Sequence, residues 1–265
     1  MLYSETITAA MATFVKDKLH VKAFSTRDEM GKRAALDIAK TINELLQNKP
    51  VINIIFAAAP SQKECLHYLT EDESIDWSRV NAFHMDEYIG LANNSPQSFG
   101  SFLKNHIFAK VPFRSVNYID GSNPDFEEEC ERYAKLLNDN PVDIVCLGIG
   151  ENGHIAFNDP PVANFNDPKV IKVVKLDLVC RQQQVNDKCF DDLSLVPTHA
   201  FTLTIPALIN AEYMFCVVPS KNKAEAIFRT LNDEVSEKCP ATILRTRNNV
   251  LLYLDKASSS LILKI

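Results

Sequence analysis

Apolar and polar positions divide the chain into short apolar runs separated by longer amphipathic stretches. The clearest helix is predicted over 26–48. Thr26-x-x-Glu29 resembles a capping box, Met30, Ala34, Ile38, Ile42, Leu45 and Leu46 recur at helical spacing, and Asn48-Lys49-Pro50 ends the run. Further helices are expected over 61–69, 98–108, 125–137 and 221–231, the last capped by Ser220. Between them Val51 to Ala58, Val80 to Met85 and Val142 to Leu147 show little polar alternation and read as strands buried on both faces. Strands are also expected at 170–174, 201–205, 213–218 and 250–254. This order predicts an α/β fold with one mainly parallel sheet covered by helices on both faces, whose ligand would lie beyond the carboxyl ends of the strands. No repeat, low-complexity block or linker interrupts it, so 1–265 reads as a single domain.

Composition narrows the classes. The net charge of -6 gives no basic surface for nucleic acid. The best apolar run, Val51 to Ala59, is far short of the roughly 17–25 residues of a membrane span, so no membrane partner is expected. The opening MLYSETITAAMATFVK lacks a basic stretch followed by a continuous apolar one, so no secretory leader and a cytoplasmic location are expected. Seven cysteines, an odd number without a C-x-x-C pair, read as reduced and mostly buried thiols. Only seven glycines occur, and three fall within Gly148 to Gly153, which draws attention there.

Four segments begin where a predicted strand ends: 57–62, 84–91, 148–160 and 218–226. Parallel strands would bring all four to one rim. Gly148-x-Gly150-x-x-Gly153 formally matches a dinucleotide fingerprint, but the prolines and Asn/Asp residues that follow disfavour the helix which that site needs, so no nucleotide cofactor is expected. The alternative is a tight loop that presents His154 at a strand end. Asp86-Glu87 closes an apolar strand. Alone it would be a solvated terminus, but with His154 and Asp159 on neighbouring loops it offers a base, a proton carrier and an orienting carboxylate. No serine elbow and no paired-histidine metal motif is present, so acyl-enzyme and metal chemistry are not expected. Lys221 and Lys223 follow Ser220 where a helix would begin, a position suited to a phosphate or else to a solvated lysine pair. Arg181 and Lys188 are candidate second cations.

FHMDEYIGL (83–91), SPQSFGSFL (95–103), LGIGENGHIAFNDP (147–160) and VPTHAFTLTIPAL (196–208) together resemble the glucosamine-6-phosphate deaminase/isomerase family. The resemblance implies a modified Rossmann-like, doubly wound α/β domain without cofactor or metal, a sugar-phosphate substrate, and conversion of glucosamine 6-phosphate to fructose 6-phosphate and ammonia. By the same resemblance Asp86 is the proton-shuttling carboxylate and His154 the ring-opening acid/base. Asn152 and Asp159 would orient His154, Lys223 would hold phosphate, and Lys188 lies near a phosphate-binding arginine of the family. An adjacent phosphate, or Glu87 from beside the substrate, would raise the pKa of Asp86, and the loop N–H groups of 148–153, Gly150 among them, would meet charge on oxygen.

Two departures stand out. The family's glycine-bearing phosphate loop is Ala57 to Gln62 here, keeping one hydroxyl, so phosphate is expected to rest mainly on Lys223 and Ser61, with help from Lys188 or Arg181. A family glutamate is Asp159, one methylene shorter, which would require a shift of about 1.5 Å to reach His154. No basic cluster for an allosteric sugar phosphate is found, and a homo-oligomer is left open. Rival readings are a 6-phosphogluconolactonase-like hydrolase, for which D-G-H-x-A-S-L-F-P is expected instead, and a non-catalytic sugar-phosphate sensor.

Overall fold

A computed structural model describes residues 9–92 and 94–263, so the leader reading of 1–16 lies partly outside the described residues. Its main sheet has eight strands: β1 (Ala12–Lys16), β2 (Leu19–Phe24), β3 (Ile52–Phe56), β4 (Val80–His84), β6 (Ser115–Asn117), β7 (Ile144–Leu147), β10 (Tyr213–Val218) and β11 (Val250–Asp255). They lie in the order β1-β2-β11-β10-β7-β3-β4-β6, all parallel except the β1–β2 hairpin at the edge. Strand alternation divides the core. Ile54, Phe56, Ile144 and Cys146 join the cluster that buries the stripe of α1 (Arg27–Asn48), while Ile55, Ala57, Val145 and Leu147 join the cluster on the other face. Each buried Ile, Val, Leu or Phe among them contributes about 1.5–3 kcal/mol.

Helix α1 begins as expected. The Thr26 hydroxyl accepts from the Glu29 N–H and the Glu29 carboxylate accepts from the Thr26 N–H. It packs closely on α2 (Lys63–Thr70) because residue 31 is glycine, where a Cβ would lie 2.5 Å from the Glu64 Cβ. That close approach sets Arg27, one turn earlier, against the start of α2. The other helices are α3 (Phe99–Leu103, running on as a π-helical turn to Phe108), α4 (Phe126–Asp139), α5 (Leu178–Asn186), α6 (Ile205–Ile209) and α7 (Ala224–Asn232).

Two expectations are corrected. The segments expected at 170–174 and 201–205 are not in the main sheet. They form β8 (Ile171–Lys175) and β9 (His199–Leu203) of a separate antiparallel sheet, β5-β9-β8, with β5 (Asp86–Tyr88) at its edge. Antiparallel pairing suits β8, in which Lys172 on one face and Lys175 on the other leave neither face wholly apolar. Nor does the Ser220 side chain cap a helix. Residues 221–223 form a 3-10 turn, α7 starts at Ala224, and Ser220, at φ 85°, instead donates its N–H to the Asp255 carboxylate.

Candidate active site

The carboxyl ends of four strands meet at one cleft. After β3 come Ala57, Ala58, Ala59, Pro60 and Ser61; after β4, Met85 and Asp86; after β7, Gly148, Gly150 and His154; after β10, Ser220 and Lys223. This is the rim expected from the four sequence segments. Arg27 of α1, Phe99 of α3, and Gln183, Gln184 and Asp187 from α5 and its C-terminal turn also line it.

The His154 ring is held from behind. Its Nδ1 lies 2.8 Å from Asn152 Oδ1 and 2.9 Å from Asp159 Oδ1, while Asn152 Nδ2 donates to the same Asp159 oxygen at 2.8 Å. The shorter aspartate therefore reaches the ring. With Nδ1 facing these oxygens, Nε2 is the nitrogen left for proton exchange. Asp159 is almost fully buried, which alone would raise its pKa, yet His154 charge and hydrogen bonds from His154, Asn152 and Cys180 hold it below the usual value. Gly150 makes room for the imidazole: a Cβ there would lie 2.1–2.4 Å from three ring atoms. Its N–H is spent on the His154 carbonyl at 2.9 Å, so the expectation that Gly150 offers a free donor to substrate is corrected. The loop is fastened to the small sheet by Asn158, whose Nδ2 donates to the carbonyls of Leu203 at 2.8 Å and Ile155 at 3.0 Å.

Asp86 opens β5 opposite Thr202 and is 6 % exposed. Burial, reinforced by the Glu87 charge, pushes its carboxyl well above the usual value. Strand alternation turns Glu87 to the other side of β5, and its placement against substrate is corrected accordingly. Its carboxylate accepts from the N–H groups of Tyr88 (2.8 Å), Phe99 (3.0 Å) and Gly100 (2.8 Å), and burial still raises it to about 7.

Lys223 is 5 % exposed, and its Nζ makes no hydrogen bond among the described residues although it lines the cleft. Burial lowers its pKa against the pull of Asp187 and Glu151. Ser61 stands nearby in the lining, its Oγ accepting from Gln62 Nε2 at 3.0 Å. The two second cations are corrected. Lys188 is exposed at φ 59° and Arg181 donates to the carbonyls of Leu193 and Val196, each at 2.7 Å. Sequence reasoning missed Arg27, which binds the Glu64 carboxylate at 2.7 Å and the Pro60 carbonyl. It also missed Asp187. Reading β2 as a strand would have placed Arg27 at a strand end.

Among the described residues, donor atoms of His154, Asp159 and Cys180 lie within 4.8 Å of one another. Two ligands on a tetrahedral zinc stand about 3.4 Å apart, given Zn–ligand bonds of about 2.0–2.2 Å. The 2.9 Å contact of His154 with Asp159 is instead a direct hydrogen bond. His84, whose Nε2 accepts from the Ile119 N–H, is buried and lowered to about 3, so it stays neutral in the core.

Residues 25–253 match the family profile of glucosamine-6-phosphate isomerases/6-phosphogluconolactonase. The chain is 34% identical over 240 residues to a glucosamine-6-phosphate deaminase of Clostridium acetobutylicum, covering 89% of this chain and 96% of that one. It is 35% identical over 224 residues to one of Bacillus cereus, covering 84% and 82%. A solved structure of a monomeric glucosamine-6-phosphate deaminase superposes with a TM-score of 0.82 at 28% identity, over 91% of this chain and 99% of that one. A 6-phosphogluconolactonase from Thermotoga maritima gives 0.73 at 21%, over 90% and 100%, a likeness of fold.

Proposed function

The chain belongs to the family of glucosamine-6-phosphate isomerases and 6-phosphogluconolactonases, and from that premise we propose that it is an enzyme converting glucosamine 6-phosphate to fructose 6-phosphate and ammonia. One observation carries the reading: a buried carboxyl, Asp86, and a histidine fixed by Asp159 share a cleft with a buried ammonium, Lys223, that has no hydrogen-bond partner among the described residues. An unpartnered buried ammonium is costly unless an anionic ligand completes it.

The chemistry needs only proton transfers and one water. His154 Nε2 relays the proton between the anomeric hydroxyl and the ring oxygen, and the pyranose opens to the aldehyde. Asp86, ionised, takes the proton from carbon 2 while the carbon-1 oxygen takes one from the substrate's own ammonium group, leaving an enolamine with a hydroxyl on carbon 1. Return of that proton to carbon 1 gives the carbon-2 ketimine. Water adds to it, the carbon–nitrogen bond breaks, and ammonia leaves with fructose 6-phosphate. Asn152 and Asp159 keep His154 in one tautomer, and Lys223 with Ser61 anchors the phosphate. A lactonase would need no base at carbon 2, and both deaminase relatives at 34–35% identity favour the present reading. A cytoplasmic location is part of it, supported by seven free cysteines.

Ammonia release from glucosamine 6-phosphate is the test, together with exchange of the carbon-2 hydrogen in deuterated water. Asp86→Asn is expected to lower kcat by about 100-fold or more and to abolish the exchange, as loss of a general base requires. Unchanged turnover would refute the assignment.

A further inference from the structure

We infer that the anion end of this cleft is a proton-sharing site, in which Asp187 selects a terminal phosphoryl group carrying one proton over a proton-free anion of the same shape. The inference takes the sugar's identity from the deaminase reading and stands otherwise on the charges around Lys223.

Among the described residues, Lys223 lines the cleft with an ammonium that makes no hydrogen bond, whereas Arg27 there is already engaged by Glu64 and the Pro60 carbonyl. Arg181 donates to backbone carbonyls instead, and Lys188 is exposed and not part of the lining. Against these stands Asp187, which lines the same cleft and accepts from Gln183 Nε2 at 3.4 Å. Glu151 is also close, bound by Asn222 Nδ2 at 2.7 Å. Together with Glu64 these are three carboxylates around two cations. The loop that follows β3 brings Ala57, Ala58 and Ala59, whose side chains carry no charge, into the lining. A dianion placed here would add two charges to a surplus of negative ones.

One proton resolves the conflict. The groups facing Asp187 are Lys223 from the 221–223 turn, Glu151 from the His154 loop, Gln183 on its own helix and Arg27 from α1. Burial and Glu151 raise its carboxyl, and Lys223, Gln183 and Arg27 oppose them without cancelling the rise. A phosphate monoester takes its second proton near pH 6, by analogy with phosphoserine. One hydrogen between Asp187 and the phosphoryl oxygen would join two acceptors that otherwise repel. As P–O–H it donates to the carboxylate, and as carboxyl O–H it donates to phosphate. A sulfate ester has no such hydrogen, and its oxygens would face an acceptor-only carboxylate.

The test uses glucosamine 6-phosphate and glucosamine 6-sulfate at pH 8. The wild type is expected to bind the sulfate at least tenfold more weakly than the phosphate. Calorimetry in buffers of different ionisation enthalpy should show uptake of about one proton with the phosphate. In Asp187→Asn the sulfate should gain at least tenfold relative to the phosphate, and the proton uptake should vanish although Lys223 is retained. Equal binding of the two esters by the wild type, or proton uptake that persists in Asp187→Asn, overturns the inference. If the phosphate binds with its proton but no ammonia is released, the deaminase reading falls and this inference stands. If ammonia is released without proton uptake, the reverse holds.

Discussion

At the scale of single residues, the site depends on two unusual placements. Gly150 lies under the His154 imidazole with no space for a side chain, since a Cβ would stand 2.1–2.4 Å from the ring. Gly150→Ala is expected to displace the ring from Asp159 and lower kcat by about 100-fold, the scale of loss for a misplaced group of about 1 Å. Circular dichroism should remain native while ammonia release falls. Lys223 is the second. Its ammonium is buried without a hydrogen-bond partner among the described residues, and burial lowers its pKa below 10.5. The charged form therefore weakens the empty protein below the folded pKa, and the cost fades as pH rises toward 10.5. Lys223→Met should raise KM about tenfold or more, since a charge-assisted bond is worth about 1.5–3 kcal/mol. It should also stabilise the unliganded protein by about 1 kcal/mol at pH 7. Urea unfolding and KM measured on one preparation check both directions, and a variant that loses stability would mean that the ammonium is partnered.

At the scale of elements, α1 and the strands β3, β4, β7, β10 and β11 were legible because their signals are local, namely a capping box, a helical stripe and continuous apolar runs, whereas β2 and the three-residue β6 were not read as strands. The small sheet was not legible either. Strand β5 is three residues long and pairs with β9, whose residues lie more than a hundred positions later, so nothing within its own sequence shows the partner. The β1–β2 hairpin was missed for a related reason, as its short edge strand alternates exposed and partly buried positions and resembles a surface loop. Helix α5 lies in a polar run, and its end decides which residue reaches the cleft. The Lys188 N–H donates to Val185 O and the Cys189 N–H to Gln184 O, which is a Schellman ending with Lys188 in the left-handed position usually given to glycine. The register leaves Asp187 in the cleft and Lys188 outside, a one-residue distinction invisible to composition. Lys188→Gly should stabilise the protein by about 1 kcal/mol by removing a left-handed non-glycine residue. KM for the sugar phosphate should stay within about twofold, and a larger rise would return Lys188 to the site.

At the scale of the whole molecule, the α/β sheet holds a site whose charges oppose its stability. Asp86 and Glu87 are buried with raised pKa values, whereas Asp37, Asp159 and Asp167 are lowered by their partners. The two groups act with opposite sign. A lowered carboxyl stabilises above its unfolded pKa and loses that contribution as pH falls through the folded value. A raised one is without cost below the unfolded value, 3.8 for Asp86, and becomes destabilising as pH climbs toward the folded value, because the unfolded chain ionises first. Asn at position 86 has nearly the same shape and no charge, so it removes only this second behaviour. Asp86→Asn should therefore be more stable than the wild type, by a margin that is smaller at pH 5 than at pH 8. The margin persists on top of the pH slope that Glu87, raised from 4.5 to about 7, keeps in both proteins. Urea unfolding of the pair at the two pH values measures it. An equal margin at both would mean that Asp86 is fully ionised in the fold by pH 5. In that case the acid limb of kcat/KM should also lie below pH 5, so the same carboxyl is read once through stability and once through the reaction.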